Sequence, residues 1–137
     1  MSWNPIKTRW YSNIPDYPHL EALPGLLGTP VNEWQYGAAT EPVHIKEKGR
    51  LRLHAQAIEG VIGFCLVTED YSGLAAPQQL NLRPEQGDGV VEFDVSPEKS
   101  PLRIVVRNNG DQGTAGRVFI GSASFYVPSV DKRAARR

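Results

Sequence analysis

The chain has a single cysteine in 137 residues, so no internal disulfide can staple it and its stability has to come from a packed core. It has no net charge: 15 Lys and Arg balance 15 Asp and Glu, which leaves no global field to gather nucleic acid or an acidic membrane surface. No apolar run approaches the length that crosses a bilayer as a helix. The start, Met1-Ser-Trp-Asn-Pro5, lacks the basic residues and apolar stretch of a secretory leader, which predicts a cytoplasmic, reducing setting. Helical periodicity is scarce too, since from Gly49 to Val127 the apolar residues do not recur at helical spacing. Internal repeats and low-complexity tracts are absent.

What is there is alternation. In Leu51-Arg-Leu-His-Ala-Gln-Ala57 the residues Leu51, Leu53, Ala55 and Ala57 fall on one face and Arg52, His54 and Gln56 on the other, the pattern of a half-buried strand. Val61–Val67 is apolar or small on both faces, as in a central strand covered on both sides, and Cys65 within it reads as a buried thiol. Val91, Phe93 and Val95 alternate with Glu92 and Asp94, and Leu102, Ile104 and Val106 alternate with the outward Arg103 and Arg107. Arg117–Val127 closes the series, with Phe119, Ala123, Phe125 and Val127 on one face. Pro77 places Leu74–Leu82 at an edge or a bulge. Glu59-Gly60 predicts an antiparallel hairpin between 50–58 and 61–68, and Gln86–Gly89 a second hairpin turn. A strand near Val31–Tyr36 puts Trp34 and Tyr36 on one side, and a shorter one is predicted at Pro42–Lys46. Roughly seven or eight strands at about ten-residue spacing predict an all-β protein: an antiparallel β-sandwich, jelly-roll-like, with an up-and-down barrel as the alternative.

Three regions follow. Residues 1–30 carry Pro5, Pro15, Pro18, Pro24 and Pro30 together with Trp3, Trp10, Tyr11 and Tyr17, which predicts an extended N-terminal arm, with one helical turn at His19–Leu23. So much aromatic area has to be covered, by the arm's own sandwich or by a second copy or partner protein, which makes a homo-oligomer through residues 1–30 an expectation. Residues 31–128 form the sandwich, and 129–137 a basic tail too short in charge to claim nucleic acid or membrane.

Enzymatic sets are weak. His19, His44 and His54 lack metal-ligand spacing, no Gly-x-Ser-x-Gly elbow occurs, and Glu92 and Asp94 share a strand face with no sign of a cleft. These residues predict no catalytic site, no cofactor and no metal. The Asn108–Gly113 loop, with Asn109, Asp111 and Gln112 and with Glu69 and Asp70 nearby in type, offers oxygen ligands for calcium, but a polar turn is the preferred reading. Sugar binding carries the most weight among specific functions. Aromatic faces cover the apolar side of a pyranose ring while polar side chains pair its hydroxyls. Trp34 and Tyr36 supply the first, and Arg52, His54, Gln56, Arg107 and Asn108 the second. The competing reading is a structural or assembly protein that docks through its arm.

The strings Val61-Ile-Gly-Phe-Cys-Leu-Val-Thr-Glu-Asp70, Leu102-Arg-Ile-Val-Val-Arg-Asn108 and Arg117-Val-Phe-Ile120 resemble a β-sandwich accessory domain. Such carbohydrate-binding-module-like domains stand beside SAM-dependent methyltransferases and glycosyltransferases of surface-polysaccharide synthesis. The likeness covers residues 43–127. It implies a lectin-like helper role near sugar chemistry, with Arg107 and Asn108 near a sheet end where ligand groups bind. No transferase sequence accompanies it, so a partner chain would have to supply whatever is targeted.

Overall fold

The computed structural model describes residues 2–32, 34–110 and 113–128. Their strands are β1 (Asn4–Pro5), β2 (Trp10–Ser12), β3 (Gly25–Gly28), β4 (Tyr36–Thr40), β5 (Gly49–Glu59), β6 (Ile62–Thr68), β7 (Leu74–Leu82), β8 (Asp88–Val95), β9 (Leu102–Asn108) and β10 (Arg117–Tyr126). Every pairing is antiparallel. One sheet runs β1-β10-β5-β8, with β3 sharing the outer flank of β10, and the other runs β2-β4-β9-β6-β7. The chain changes sheet at every connection except β6 to β7. The inner orders β3-β10-β5-β8 and β4-β9-β6-β7 are those of a jelly roll, as the strand count and alternation predict.

The filling comes from the alternation. Leu51 and Leu53 of β5, Phe93 of β8 and Ile120 of β10 meet Phe64 and Leu66 of β6 and Ile104 of β9, all fully buried or within 1 % of it. Each side chain of that size contributes about 1.5–3 kcal/mol by leaving water. The arm is extended, as its prolines require, and it lies on its own sandwich. Trp10 is fully buried in the same core, β2 pairs with β4, and β1 pairs with β10. Trp3 leans on Tyr126 with ring centroids 5.2 Å apart.

Several local expectations change. β5 and β6 do not form a hairpin: they sit in different sheets, and Gly60, at φ 71°, turns the chain across the sandwich. A tight-turn signal fixes the reversal but not which sheet receives the returning strand, and β6, apolar on both faces, takes the covered place between β9 and β7. The Gln86–Gly89 turn likewise joins the two sheets, after a single 3-10 turn at Pro84–Gln86. The strand expected at Val31–Tyr36 begins at Tyr36, and Trp34 lies in the turn before it. Pro42–Lys46 makes only an isolated bridge, Val43 with Leu102. At His19–Leu23 there is no helical turn; Leu20 instead exchanges backbone hydrogen bonds with Trp10 at 2.8 and 2.9 Å. A register shift between Ile120 and Ser122 changes the phase of β10, so Val118, Ile120 and Ala123 face the core and Phe119 faces out.

Candidate functional site

Each sheet has an outer face, and the two differ. On the sheet built from β4, β9, β6 and β7, the same alternation that sends Leu102, Ile104 and Val106 inward sends Arg103, Val105 and Arg107 outward. Gly63, Cys65 and Val67 of β6 stand opposite Arg107, Val105 and Arg103. Tyr36 and Ala39 of β4 flank Arg107 and Val105 on the other side, while Gln79 and Asn81 of β7 flank Cys65 and Gly63. Ala39, Cys65, Val67 and Val105 are buried as a second, smaller apolar cluster with Tyr36 packed on it. This face therefore has an apolar floor and polar, aromatic walls.

The walls hold Trp34 and Tyr71. They are the two described non-glycine residues with positive φ, 68° and 63°. For a bulky side chain this left-handed conformation costs about 1–2 kcal/mol. Both residues are about half exposed, 54 % and 48 %. Each is paired with a guanidinium: Arg107 lies 4.9 Å from the Trp34 ring centre and Arg103 lies 5.1 Å from that of Tyr71. Tyr36 bridges toward Tyr71 at 6.2 Å between centroids.

The conformations are held from below. The Trp34 backbone N–H donates to the Asn108 carbonyl at 2.7 Å, and the Asn108 N–H donates to Gln35 O at 3.1 Å. The Asn108 amide nitrogen donates to Pro30 O and Thr114 O, both at 2.9 Å, tying two loops together. Under Tyr71, the Asp70 carboxylate accepts from Ser72 N at 3.0 Å and from the Thr68 hydroxyl at 2.9 Å. Hydrogen bonds from the Ser72 side chain and backbone, then from Thr68, hold the Asp70 carboxyl down at about 2.

The two arginines are bound without being neutralised. Arg103 Nε donates to Glu69 O at 2.8 Å and its Nη1 to Thr40 O at 3.0 Å. Arg107 donates to the Gln79 side-chain oxygen, and its buried Nε has no partner. The ion pairs among the described residues are Arg9–Glu21, Arg50–Asp94, Arg52–Glu92 and Arg117–Glu59, so neither Arg103 nor Arg107 meets a carboxylate. Gly63 makes room for this layer: a Cβ there would lie 3.0 Å from Asn109 Cβ and 3.2 Å from Arg107 Cγ. Burial pushes the Cys65 thiol up, with Arg107 pulling the other way, so the thiol stays protonated and inert. Burial raises the Tyr36 hydroxyl as well, followed by the effect of Cys65, while Arg107 opposes it.

The seven residues singled out in the sequence divide. Trp34, Tyr36 and Arg107 come together on this face. Asn108 is adjacent but buried, and its amide serves the loops that set Trp34 rather than solvent. Arg52, His54 and Gln56 are on the opposite sheet, since β5 pairs with β10 and β8. There Arg52 lies 3.8 Å under the Trp3 ring and donates to Glu92 at 2.8 Å, so the arm covers it. His54 and Gln56 line a hollow of about 260 Å³ beside Val90 and Phe119. Sequence reasoning missed Tyr71, Gln79 and Asn81 as parts of a site, and it weighed Asn109 for calcium and not for this face. Arg103 was visible as an outward residue in register with Arg107, but Tyr71 sits in a loop with no period to betray it.

Trp34 and Tyr36 also line a cleft of about 560 Å³ with Asn13, Ile14, Pro30 and Gln35. A larger hollow, about 810 Å³, lies elsewhere, along the open edge between β7 and β8, over Ala75, Ala76 and Val95. Lys48, Ser96, Glu98 and Lys99 give it polar groups and Arg50 pairs with Asp94 on its rim, but among the described residues no aromatic side chain lines it, so it lacks the stacking surface that a sugar ring takes. For calcium, Asp111 and Gln112 lie outside the described residues, and among the described residues no group of three His, Cys, Asp or Glu converges. No protein-family model matches the chain, and no curated protein matches it.

Proposed function

We propose that this protein is a non-catalytic binding module for a carbohydrate or glycoconjugate, taken up on the outer face of the β2-β4-β9-β6-β7 sheet. One observation carries the reading. The two aromatic rings held in a costly left-handed backbone are both exposed, both on this face, and both set against an unpaired arginine. Local strain of this kind persists where the surroundings enforce it, and it clusters at binding sites. Stacking on Trp34, Tyr36 and Tyr71 takes the apolar side of a sugar ring, and Arg103, Arg107, Gln79, Asn81 and Asn109 supply hydroxyl partners. Glu92 and Asp94, the carboxylates that share a strand face, lie on the other sheet in ion pairs with Arg52 and Arg50. The resemblance to accessory domains of polysaccharide-synthesising enzymes fits a helper that holds glycan for a partner chain.

The test is a glycan-array screen followed by calorimetric titration of the best ligand. Trp34→Ala and Tyr71→Ala should each weaken binding by about fivefold or more while thermal unfolding shows an intact fold, since a stacked ring contributes about 1–3 kcal/mol. Unchanged affinity in both folded variants would remove this face as the site.

A further inference from the structure

Resting on the carbohydrate reading above, we infer that the ligand is an acidic oligosaccharide that lies along β9 and places a carboxylate near each end of that strand. The site repeats itself. At one end Arg103 sits against Tyr71 and at the other Arg107 sits against Trp34, with Tyr36 between the two ends packed on the buried Val105, Cys65 and Ala39. Arg103 and Arg107 are four residues apart on an extended strand, about 13 Å from end to end, which is longer than a single pyranose. One small anion therefore cannot satisfy both, whereas a chain of linked rings can.

The charge argument is independent of the stacking argument. In a chain whose formal charges cancel, this face keeps two guanidiniums that meet no carboxylate among the described residues. The acidic residues next to Arg103 leave it unmatched. Glu69 offers its backbone oxygen, and the Asp70 carboxylate is closed by Thr68 and Ser72. Each arginine has five N–H donors and spends only part of them on neutral protein oxygens, Glu69 O and Thr40 O for Arg103 and the Gln79 amide for Arg107. A carboxylate is the acceptor that matches the remaining fork. A uronic-type polymer combines that group with an apolar ring face.

The experiment titrates the full chain with galacturonic acid, with its linked oligomers of two to four rings, and with the methyl esters of the same oligomers. The acids should bind at least tenfold more tightly than the esters, more tightly as the chain lengthens from one ring to four, and less tightly as salt rises. Arg103→Gln and Arg107→Gln should each cost about tenfold toward the acid and little toward the ester. Arg103→Lys and Arg107→Lys should keep the salt dependence and recover part of the affinity, because they retain the charge without the fork. Should Arg107→Gln fail to fold, Arg103→Gln still decides the matter. Esters that bind as well as acids, or a single ring that binds as well as four, would overturn this inference and leave the carbohydrate reading standing. Binding of neither series would overturn this inference, and the glycan-array screen then decides the carbohydrate reading by itself.

Discussion

The two outer faces of this sandwich are made by the same alternation and end in opposite conditions. On the β5 side the arginines of β5 are answered by carboxylates. Arg52 pairs with Glu92 and lies under Trp3, and Arg50 pairs with Asp94. On the β9 side the arginines meet rings and neutral oxygens, and the rings are held in backbone conformations that bulky residues avoid. One face is arranged to be stable by itself. The other is arranged at a cost, which makes sense if something outside the chain completes it. The difference teaches that exposed polarity alone does not mark a binding surface; what marks it is polarity and strain left unresolved.

The sharpest break in this comparison is the arm, which belongs to both faces. Trp10 fills the core, β1 extends one sheet and β2 the other. Trp10→Ala should cost about 3–5 kcal/mol in chemical denaturation. Trp10→Phe should cost much less, because it also removes an indole N–H that is buried without an acceptor. Deleting residues 1–30 should abolish cooperative unfolding. A truncated chain that still unfolds cooperatively would mean the arm is an accessory and not part of the fold.

Smaller effects separate the faces by sign. Trp34→Gly and Tyr71→Gly relieve the left-handed strain but give up some of it as glycine's chain entropy, so each should range from neutral to about 1 kcal/mol more stable while losing ligand. Trp3→Ala and Arg52→Ala should do the reverse, losing up to about 1 kcal/mol with ligand affinity unchanged. Thermal unfolding and titration of the four variants checks both halves. Destabilisation by Trp34→Gly comparable to Trp3→Ala would erase the contrast.

The layers and the core were legible because period two survives any strand order: Leu51, Leu53, Phe93, Leu102 and Ile104 are inward in whichever sheet they lie. What was hidden is what alternation cannot carry. Arg52 and Arg103 look alike along the chain, each an arginine between apolar neighbours, yet they end on opposite outer faces because β5 and β9 go to different sheets. Partner choice also decides which arginine is neutralised, and Glu92 reaches Arg52 only through the β5–β8 register. Tyr71 depends on a loop whose shape comes from three local hydrogen bonds to Asp70 and Thr68, with no pattern in spacing to announce it.

That loop gives the smallest effect and a pH handle on the binding face alone. The Asp70 carboxyl is held at about 2 in the folded chain against an ordinary 3.8, so its hydrogen bonds are fully present above about pH 4 and weaken as pH falls toward 2. Because Asp70 is exposed, the loss should be local and not global. The Tyr71 ring resonances should shift between pH 4 and 2 ahead of those of Trp3, while Asp70→Asn should move Tyr71 at neutral pH and flatten that titration. Trp3 rests on Arg52 and Tyr126, away from this carboxylate, and serves as the internal reference. Simultaneous movement of both rings would mean the two faces loosen as one unit, and the strain at Tyr71 would then belong to the whole sandwich and not to the site.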